Sequence, residues 1–132
     1  MKITELMKEV EEDFNFTKEN IGEKVFSAPS LHSKYLNLYL REFTKYTNMY
    51  KQIKQMYRKK YYYYKEDFSY SLSQKEIDFH IDSDDDYADL YKQYCSQKAI
   101  VDYLDSIVKK SQQISFDIKN IQVHLDRING VV

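Results

Sequence analysis

The chain has 132 residues, enough for one domain, and 14 of them are tyrosine, while it contains no tryptophan, two glycines and one proline. So few turn-forming residues exclude a β-sandwich or barrel, and the single Cys95 excludes an internal disulfide, which is typical of a reducing, intracellular setting. The net charge is −1 and no stretch approaches the ~18–20 uncharged apolar residues of a membrane span, so we expect a soluble protein built of long helices.

Two short helices are expected near the N-terminus. Apolar residues Leu6, Val10 and Phe14 share one stripe, which predicts a first helix over residues 4–14. A second short helical segment is expected over residues 18–26.

The clearest break in the helical pattern is at Pro29. Because proline disfavours helical backbone in the residue before it, here Ala28, we expect an interruption, with Ser30 as the N-cap of a new helix. From Leu31 the pattern is helical through residue 64. Its apolar and aromatic residues recur every seven positions, at Leu36, Phe43, Tyr50, Tyr57 and Tyr64.

The period of the pattern changes after this helix. Two short runs alternate apolar and polar residues, on either side of residues 73–76. The apolar members are Phe68, Tyr70 and Leu72 in the first run and Ile77, Phe79 and Ile81 in the second. Because a period of two is typical of strands, we expect a small β-hairpin in an otherwise mainly α fold.

The last helix is expected over residues 85–128, with the acids of residues 82–86 favouring its N-terminus. Its later half carries a heptad-like repeat, with members Ile100, Leu104, Ile107, Ile114, Ile118, Ile121 and Leu125. Isoleucine and leucine at such spacing predict a coiled-coil-like oligomerisation seam that favours assemblies larger than dimers. The alternative is an intrachain seam against the helix of residues 36–64, and both descriptions can apply to different halves.

Charge is segregated along the chain. Residues 41–65 carry eight Lys or Arg and one acid, whereas residues 66–105 carry three and eleven. Residues 61–64 are all tyrosine, and they cannot all face inward because successive helical residues lie about 100° apart. Cations bind phosphates and exposed rings stack on unpaired bases, so this segment predicts single-stranded nucleic-acid binding without base-specific readout. The alternative is a solvated basic face with the tyrosines packed inside.

Residues that could carry chemistry are few and scattered. The three histidines are far apart, and no phosphate-binding loop, dinucleotide-binding motif or HExxH motif is present. The acids of residues 82–86 resemble the start of an EF-hand loop, but Tyr87 and Gln93 occupy the positions of its turn glycine and bidentate glutamate. We therefore expect no enzymatic activity, no metal and no cofactor.

Four segments of the chain, in this order, resemble motifs of one family. Residues 31–37, Leu-His-Ser-Lys-Tyr-Leu-Asn, are similar to its Ser-Lys-Trp-Leu-Asn segment. Residues 57–64, Tyr-Arg-Lys-Lys-Tyr-Tyr-Tyr-Tyr, are similar to its basic Leu-Lys-Ala-Arg-Leu-Asp-Tyr-Tyr motif. Residues 81–86 resemble an acidic segment before its last helix, and residues 116–122 its C-terminal Phe-Ala-Ile-Lys-His-Ile-Gln. The family is the UvsY recombination mediators of T4-like bacteriophages.

The resemblance implies a role in DNA recombination. Such proteins bind single-stranded DNA and load a RecA-like phage recombinase in place of the phage single-strand-binding protein, during homologous recombination, recombination-dependent replication and repair. The resemblance also implies a closed homo-oligomeric ring, a hexamer or heptamer, in the cytoplasm of the infected bacterial host. The rival expectation is a non-catalytic helical scaffold that does not bind DNA.

The resemblance also implies DNA-binding residues. Arg58 and Lys60 match the two basic positions of the family's basic motif, and Tyr63 and Tyr64 match its two tyrosines. Two further residues, Lys54 and Lys59, are expected to bind DNA on charge and proximity alone. We expect a single domain over residues 1–132, with a DNA-binding part over 1–98 and an oligomerisation helix over 99–132.

Overall fold

The computed structural model describes residues 1–17 and 19–130, with the side chains of all of them except residues 25 and 122. The residues so described form four helices in succession, with a π-helical turn between the second and third. They are α1 (Ile3–Asp13), α2 (Ile21–Tyr62), the π-helical turn (Tyr63–Asp67), α3 (Gln74–Asp82) and α4 (Asp85–Ile128). The described residues contain no strand, so the mainly helical class is confirmed and the predicted β-hairpin is wrong.

The predicted break at Pro29 is also wrong. Helix α2 is continuous from Ile21 to Tyr62 and contains Pro29, so Ser30 is an interior residue and not an N-cap. Proline lacks the N–H of one helical hydrogen bond, but its fixed φ is compatible with helix. Residue 18, where the second predicted helix begins, lies outside the described residues.

Helix α3 replaces the second strand of the predicted hairpin. Ser73 and Glu76 form a reciprocal capping box, in which the Glu76 N–H donates to Ser73 Oγ at 3.3 Å and the Ser73 N–H donates to Glu76 Oε1 at 3.4 Å. Ile77 and Ile81, one turn apart, are buried, whereas Phe79 between them is 68% exposed. The alternating pattern therefore arose from two buried isoleucines on one face of a helix and one exposed phenylalanine between them in sequence.

Residues 68–72, predicted as the first strand, form irregular backbone after the π-helical turn. Phe68 packs edge-on against Tyr64, with ring centroids 5.4 Å apart, and lies 5.5 Å from the His80 ring of α3. These aromatic contacts fix the segment against α3 without any strand pairing.

The chain divides into two compact units, and both α2 and α4 contribute to each. The first unit consists of residues 1–41 together with the chain from Ile100 onward. Its core is a cluster of buried residues from α1, α2 and α4: Leu6, Val10, Tyr35, Ile100, Leu104 and Ile107. The Tyr35 hydroxyl donates to Asp13 Oδ2 at 2.6 Å, which ties α2 to the end of α1.

This core accounts for the first half of the isoleucine repeat in α4. Its members Ile100, Leu104 and Ile107 are covered by α1 and α2 of the same chain. Further along α4, Ile114 is half-buried and Ile118 buried. Beyond Ile118 the repeat is exposed, at Ile121, Leu125 and Ile128. The buried side of α4 thus continues, past Ile118, into an apolar face that the described residues leave exposed.

The second unit consists of residues Glu42–Ala99. Within it α2 and α4 run antiparallel, because Glu42 contacts Gln97 near one end and Tyr57 contacts Tyr87 near the other. The side-chain amide of Gln97 donates to both the carbonyl and the carboxylate of Glu42, each at 2.8 Å, so this buried polar pair is satisfied. Cys95 of α4 is exposed. None of the described helices combines the length and apolar character that a membrane crossing requires.

Candidate nucleic-acid interface

The six residues predicted to bind DNA lie at the C-terminal end of α2 and in the π-helical turn. Residues two positions apart on a helix are separated by about 200°. Arg58 and Lys60 therefore lie on opposite faces of α2. The structure divides the six residues between two environments of different charge.

The first environment is the basic–tyrosine face, defined as Lys54, Arg58, Tyr61, Tyr62 and Lys65. Each cation lies over an aromatic ring. Arg58 Cζ is 5.8 Å from the centroid of Tyr62, and Lys65 Nζ is 5.7 Å from that of Tyr61. Lys54 Nζ lies 5.1 Å from the centroid of Tyr50, one turn earlier. All three cations are exposed.

The cations of this face are available for an external anion. The ion pairs between described residues include neither Lys54 nor Arg58. A cation over a ring edge or face keeps most of its hydration, and the contact is worth only about 0.5–1 kcal/mol at an exposed site. A phosphate can therefore bind these side chains without first displacing a carboxylate.

A groove of about 380 Å³ opens on this face, lined by Tyr57, Arg58, Tyr61, Tyr62 and Gln74. The Tyr57 and Tyr61 rings are stacked along α2, with centroids 6.2 Å apart and planes 26° apart. The rings and the guanidinium give the groove both a stacking surface and a cation.

Helix α3 fixes two of these tyrosines by their hydroxyls. Tyr61 donates to Gln74 Oε1 at 2.7 Å, and Tyr57 donates to Asp78 Oδ1 at 2.5 Å. The hydrogen bond to Asp78 raises the pKa of Tyr57 to about 12. The hydrogen bond holds the Tyr57 ring in place, and its phenol stays neutral at physiological pH, as an ordinary tyrosine does.

The second environment is acidic. Lys60 Nζ pairs with Asp84 Oδ2 at 3.1 Å and lies 3.9 Å from Asp86 Oδ2. The hydrogen bond to Asp84 raises the pKa of Lys60, so the ammonium stays charged in this pair. The N–H of Tyr87, which donates to Asp84 Oδ1 at 3.0 Å, is the main cause that holds the pKa of Asp84 below its usual value. Asp84 thus caps α4 and neutralises Lys60 at once.

The other three predicted residues lie beside this acidic pair. Lys59 is exposed and lines, with Lys60, Tyr63 and Tyr64, a cavity of about 550 Å³ that also includes both carboxylates. The Tyr64 ring stacks on His80 of α3, with centroids 5.1 Å apart, and Tyr63 meets Tyr64 edge-on at 5.0 Å. Tyr64 therefore packs within the fold, whereas Tyr63 presents half of its surface to solvent.

The groove also contains residues that the sequence reasoning did not select. Tyr62 follows Arg58 by four positions, the spacing that brings side chains together on a helix, so their contact could have been predicted from the sequence. Gln74 of the groove had no such signal, and neither had Asp78, which accepts the hydrogen bond of Tyr57 outside the groove lining, because their contacts depend on how α3 packs. Among the described residues no three His, Cys, Asp or Glu side chains are grouped so that they could hold a metal ion.

Comparisons with known proteins found one matching family and a shared fold. The sequence model of the family described as "Recombination, repair and ssDNA binding protein UvsY" matches residues 9–130. A crystal structure of the bacteriophage T4 recombination mediator protein UvsY, lattice type IV, is similar with a TM-score of 0.83 and 18% identity, over 94% of this chain and 96% of that one. Lattice type II of the same protein gives a TM-score of 0.84 and 17% identity, over 98% of each chain. At such identities the structural likeness concerns the fold alone. None of the curated proteins compared matches this chain.

Proposed function

Because this chain belongs to the UvsY family of recombination, repair and single-stranded-DNA-binding proteins, we propose that it is a recombination mediator. It binds single-stranded DNA and promotes loading of a RecA-like phage recombinase in place of the phage single-strand-binding protein. It acts in homologous recombination, recombination-dependent replication and repair, in the cytoplasm of the infected bacterial host. The family match also confirms the resemblance drawn from the sequence motifs.

The observation that carries DNA binding is the basic–tyrosine face. Arg58 and Lys54 have no carboxylate partner among the described residues, and each lies over an exposed tyrosine ring. Phosphates bind the cations with release of counterions, and unpaired bases stack on the rings. A duplex offers phosphates but no free base faces, so single strands are preferred. Lys59, Lys60, Tyr63 and Tyr64 contribute from the neighbouring acidic environment, where Lys60 must first leave Asp84.

Self-assembly is supported by the exposed apolar end of α4. Ile121, Leu125 and Ile128 continue the heptad positions that are buried earlier in the same helix, and all three are exposed. A patch of this kind marks an interaction surface. A ring of six or seven copies formed through these helices would repeat the basic–tyrosine face around one assembly. Repetition converts weak single contacts into tight binding, because each later contact is intramolecular.

The mediator needs no chemistry of its own. It changes the outcome of competition between two proteins for one strand, by holding the strand while the recombinase filament grows. Its partners are therefore single-stranded DNA, the recombinase and the single-strand-binding protein, and its action requires no cofactor.

Fluorescence anisotropy of a labelled oligo-dT strand and a matching duplex, across a salt series, tests DNA binding. Lys54→Ala/Arg58→Ala should weaken single-strand binding and reduce the salt slope by about 1.4, since each lost phosphate contact removes about 0.7. Lys8→Ala/Lys119→Ala removes the same charge from exposed positions elsewhere and should change little. Equal effects of the two double variants would assign binding to net charge, and absence of binding at low salt would favour the scaffold alternative.

Loading is tested separately from binding. The recombinase hydrolyses ATP when it binds a strand, so its activity on a strand covered by single-strand-binding protein reports exchange. The wild-type chain should stimulate this activity, and Lys54→Ala/Arg58→Ala should stimulate it less. DNA binding without any stimulation would refute the mediator role and leave a single-strand-binding protein.

A further inference from the structure

The aromatic surface of the second unit extends well beyond the basic–tyrosine face. Tyrosines of α2 and α4 form one series of ring contacts, with each centroid 5.1–6.4 Å from the next. We call this series the tyrosine strip, and its members are Tyr46, Tyr50, Tyr94, Tyr91, Tyr87, Tyr57, Tyr61 and Tyr62.

None of the eight rings of the tyrosine strip is buried. Tyr50 of α2 is 45% exposed and Tyr91 of α4 is 49% exposed, and both rings lie against Tyr94, at 6.2 and 6.0 Å. Tyr94 is in turn fixed by Tyr46, whose ring stacks on it at 5.1 Å and whose hydroxyl is 2.9 Å from its own. A fixed inner ring thus supports two outer rings that face solvent from different helices.

Cations and grooves follow the same strip. Lys54, Arg58 and Lys65 each lie over one of its rings. A second groove, of about 530 Å³, opens on α4 beside Tyr87 and Tyr91, and it is lined also by Ala88, Lys92 and Asp82. Rings interspersed with cations provide what a single strand requires, because its bases stack while its phosphates need positive charge.

We propose that the single strand bound by this protein continues past α2 and stacks its bases on Tyr50 and Tyr91 of the tyrosine strip. This inference rests on the proposed function. It assigns DNA contact to α4, in a segment that the basic motif of residues 57–64 does not include. Fixed aromatic rings are suited to this because a stacked base then immobilises no flexible side chain of the protein.

An abasic strand separates stacking from charge. It has the same length and phosphates as oligo-dT but no bases. Each stacked base contributes about 5- to 140-fold in affinity, the equivalent of roughly 1–3 kcal/mol. The wild-type chain should therefore bind oligo-dT at least about 5-fold more tightly than the abasic strand. Tyr50→Leu/Tyr91→Leu should lower that preference by at least about 5-fold, the share of the bases stacked on these two rings, while its affinity for the abasic strand and its salt slope stay unchanged.

Matched variants and a second measurement keep this test decisive. Tyr50→Phe/Tyr91→Phe retains the rings and should retain the preference, and Tyr70→Leu changes a tyrosine outside the strip. A wild-type preference that survives undiminished in Tyr50→Leu/Tyr91→Leu would overturn the inference. So would a lowered preference accompanied by a change of oligomeric state, since the two rings would then lie in a subunit interface.

Photo-cross-linking of a 5-iodouracil strand to the wild-type chain gives a readout without any substitution. Iodouracil reacts with aromatic rings that it stacks on, and mass spectrometry identifies the residue. Cross-links at Tyr91 or Tyr50 support the inference, and cross-links confined to residues 57–64 overturn it. If the chain binds neither oligo-dT nor the abasic strand at low salt, the proposed function itself fails. If it binds both equally, binding to the phosphates stands, while base stacking is refuted for the tyrosine strip and for the basic–tyrosine face alike.

Discussion

Asparagine in place of Asp84 would separate the two roles of this carboxylate. Asp84 caps α4 by accepting the N–H of Tyr87, and it neutralises Lys60. An asparagine side chain also accepts a capping hydrogen bond, so Asp84→Asn keeps the helix start and removes only the charge. We expect this variant to bind single-stranded DNA more tightly than the wild type, because Lys60 keeps only its longer contact with the exposed Asp86, at 3.9 Å, and can turn to a phosphate.

The size of the gain follows from the exposure of the pair. The side chains of Lys60 and Asp84 are 27% and 17% exposed, with Lys60 Nζ 3.1 Å from Asp84 Oδ2. Solvent therefore screens much of their attraction, and pairs at the surface are worth about 0.2–1 kcal/mol. Releasing Lys60 should raise affinity about 1.4- to 5-fold per protomer. One additional phosphate contact should also steepen the salt slope by about 0.7.

Anisotropy with a short oligo-dT strand measures both quantities. The matched control is Asp89→Asn, which makes the same change in charge at an exposed position of α4 that forms no ion pair among the described residues. In a Lys60→Ala background, Asp84→Asn should gain nothing. Equal gains from Asp84→Asn and Asp89→Asn would refute the reasoning, since the effect would then be one of long-range charge.

Three further predictions concern stability and assembly. Tyr35→Phe removes the hydrogen bond to the charged Asp13 and should lower the free energy of unfolding by about 1.5–3 kcal/mol, measured in urea at fixed protomer concentration. The control Tyr70→Phe, at an exposed ring, should change that free energy by no more than about 0.5 kcal/mol. Burial raises the pKa of Asp13, but the hydrogen bonds from its partners outweigh it and the pKa is lowered from 3.8. The stability that charged Asp13 contributes is therefore fully present above pH 3.8 and is lost as the pH falls through its lower pKa in the folded protein. The difference in free energy of unfolding between the wild type and Asp13→Asn should accordingly shrink in acid. A difference that does not depend on pH would contradict this. Leu104→Ala, at a fully buried core position, should cost about 2–5 kcal/mol of protomer stability, whereas Leu125→Ala, at a side chain 43% exposed, should leave the protomer intact and shift the sedimentation profile toward smaller species.

Helical periodicity predicted most of the fold. The stripe of Leu6 and Val10 gave α1 to within one residue at each end, and both residues are buried as that stripe requires. The last helix, expected over residues 85–128, has those bounds. Such patterns succeed because each long helix must bury one face, and the face is visible in the spacing of apolar residues.

The errors occurred where two local signals compete. Ile77, Phe79 and Ile81 satisfy a period of two, and Ile77 and Ile81 alone satisfy a helical turn. The capping box of Ser73 and Glu76 favours a helix, and it was not weighed against the alternating pattern. At Pro29 the statistical preference against helix before proline was outweighed by the rest of a helix of 42 residues.

The site was predicted as one cluster because the residues are neighbours in sequence. Helix geometry alone separates Arg58 from Lys60 by about 200°, so their division between two faces was predictable. The pairing of Lys60 with Asp84 was not, since 24 positions separate them and only the packing of α4 brings them together. The same holds for the stacking of Tyr46 on Tyr94, which no local pattern indicates.

The exposed Cys95 on α4 gives the chain a natural attachment point, because it is the only cysteine in the sequence. A maleimide dye would label each protomer once, at one defined position, without any engineered substitution. Single assemblies immobilised on a surface would then bleach in discrete steps, and the number of steps counts the subunits directly.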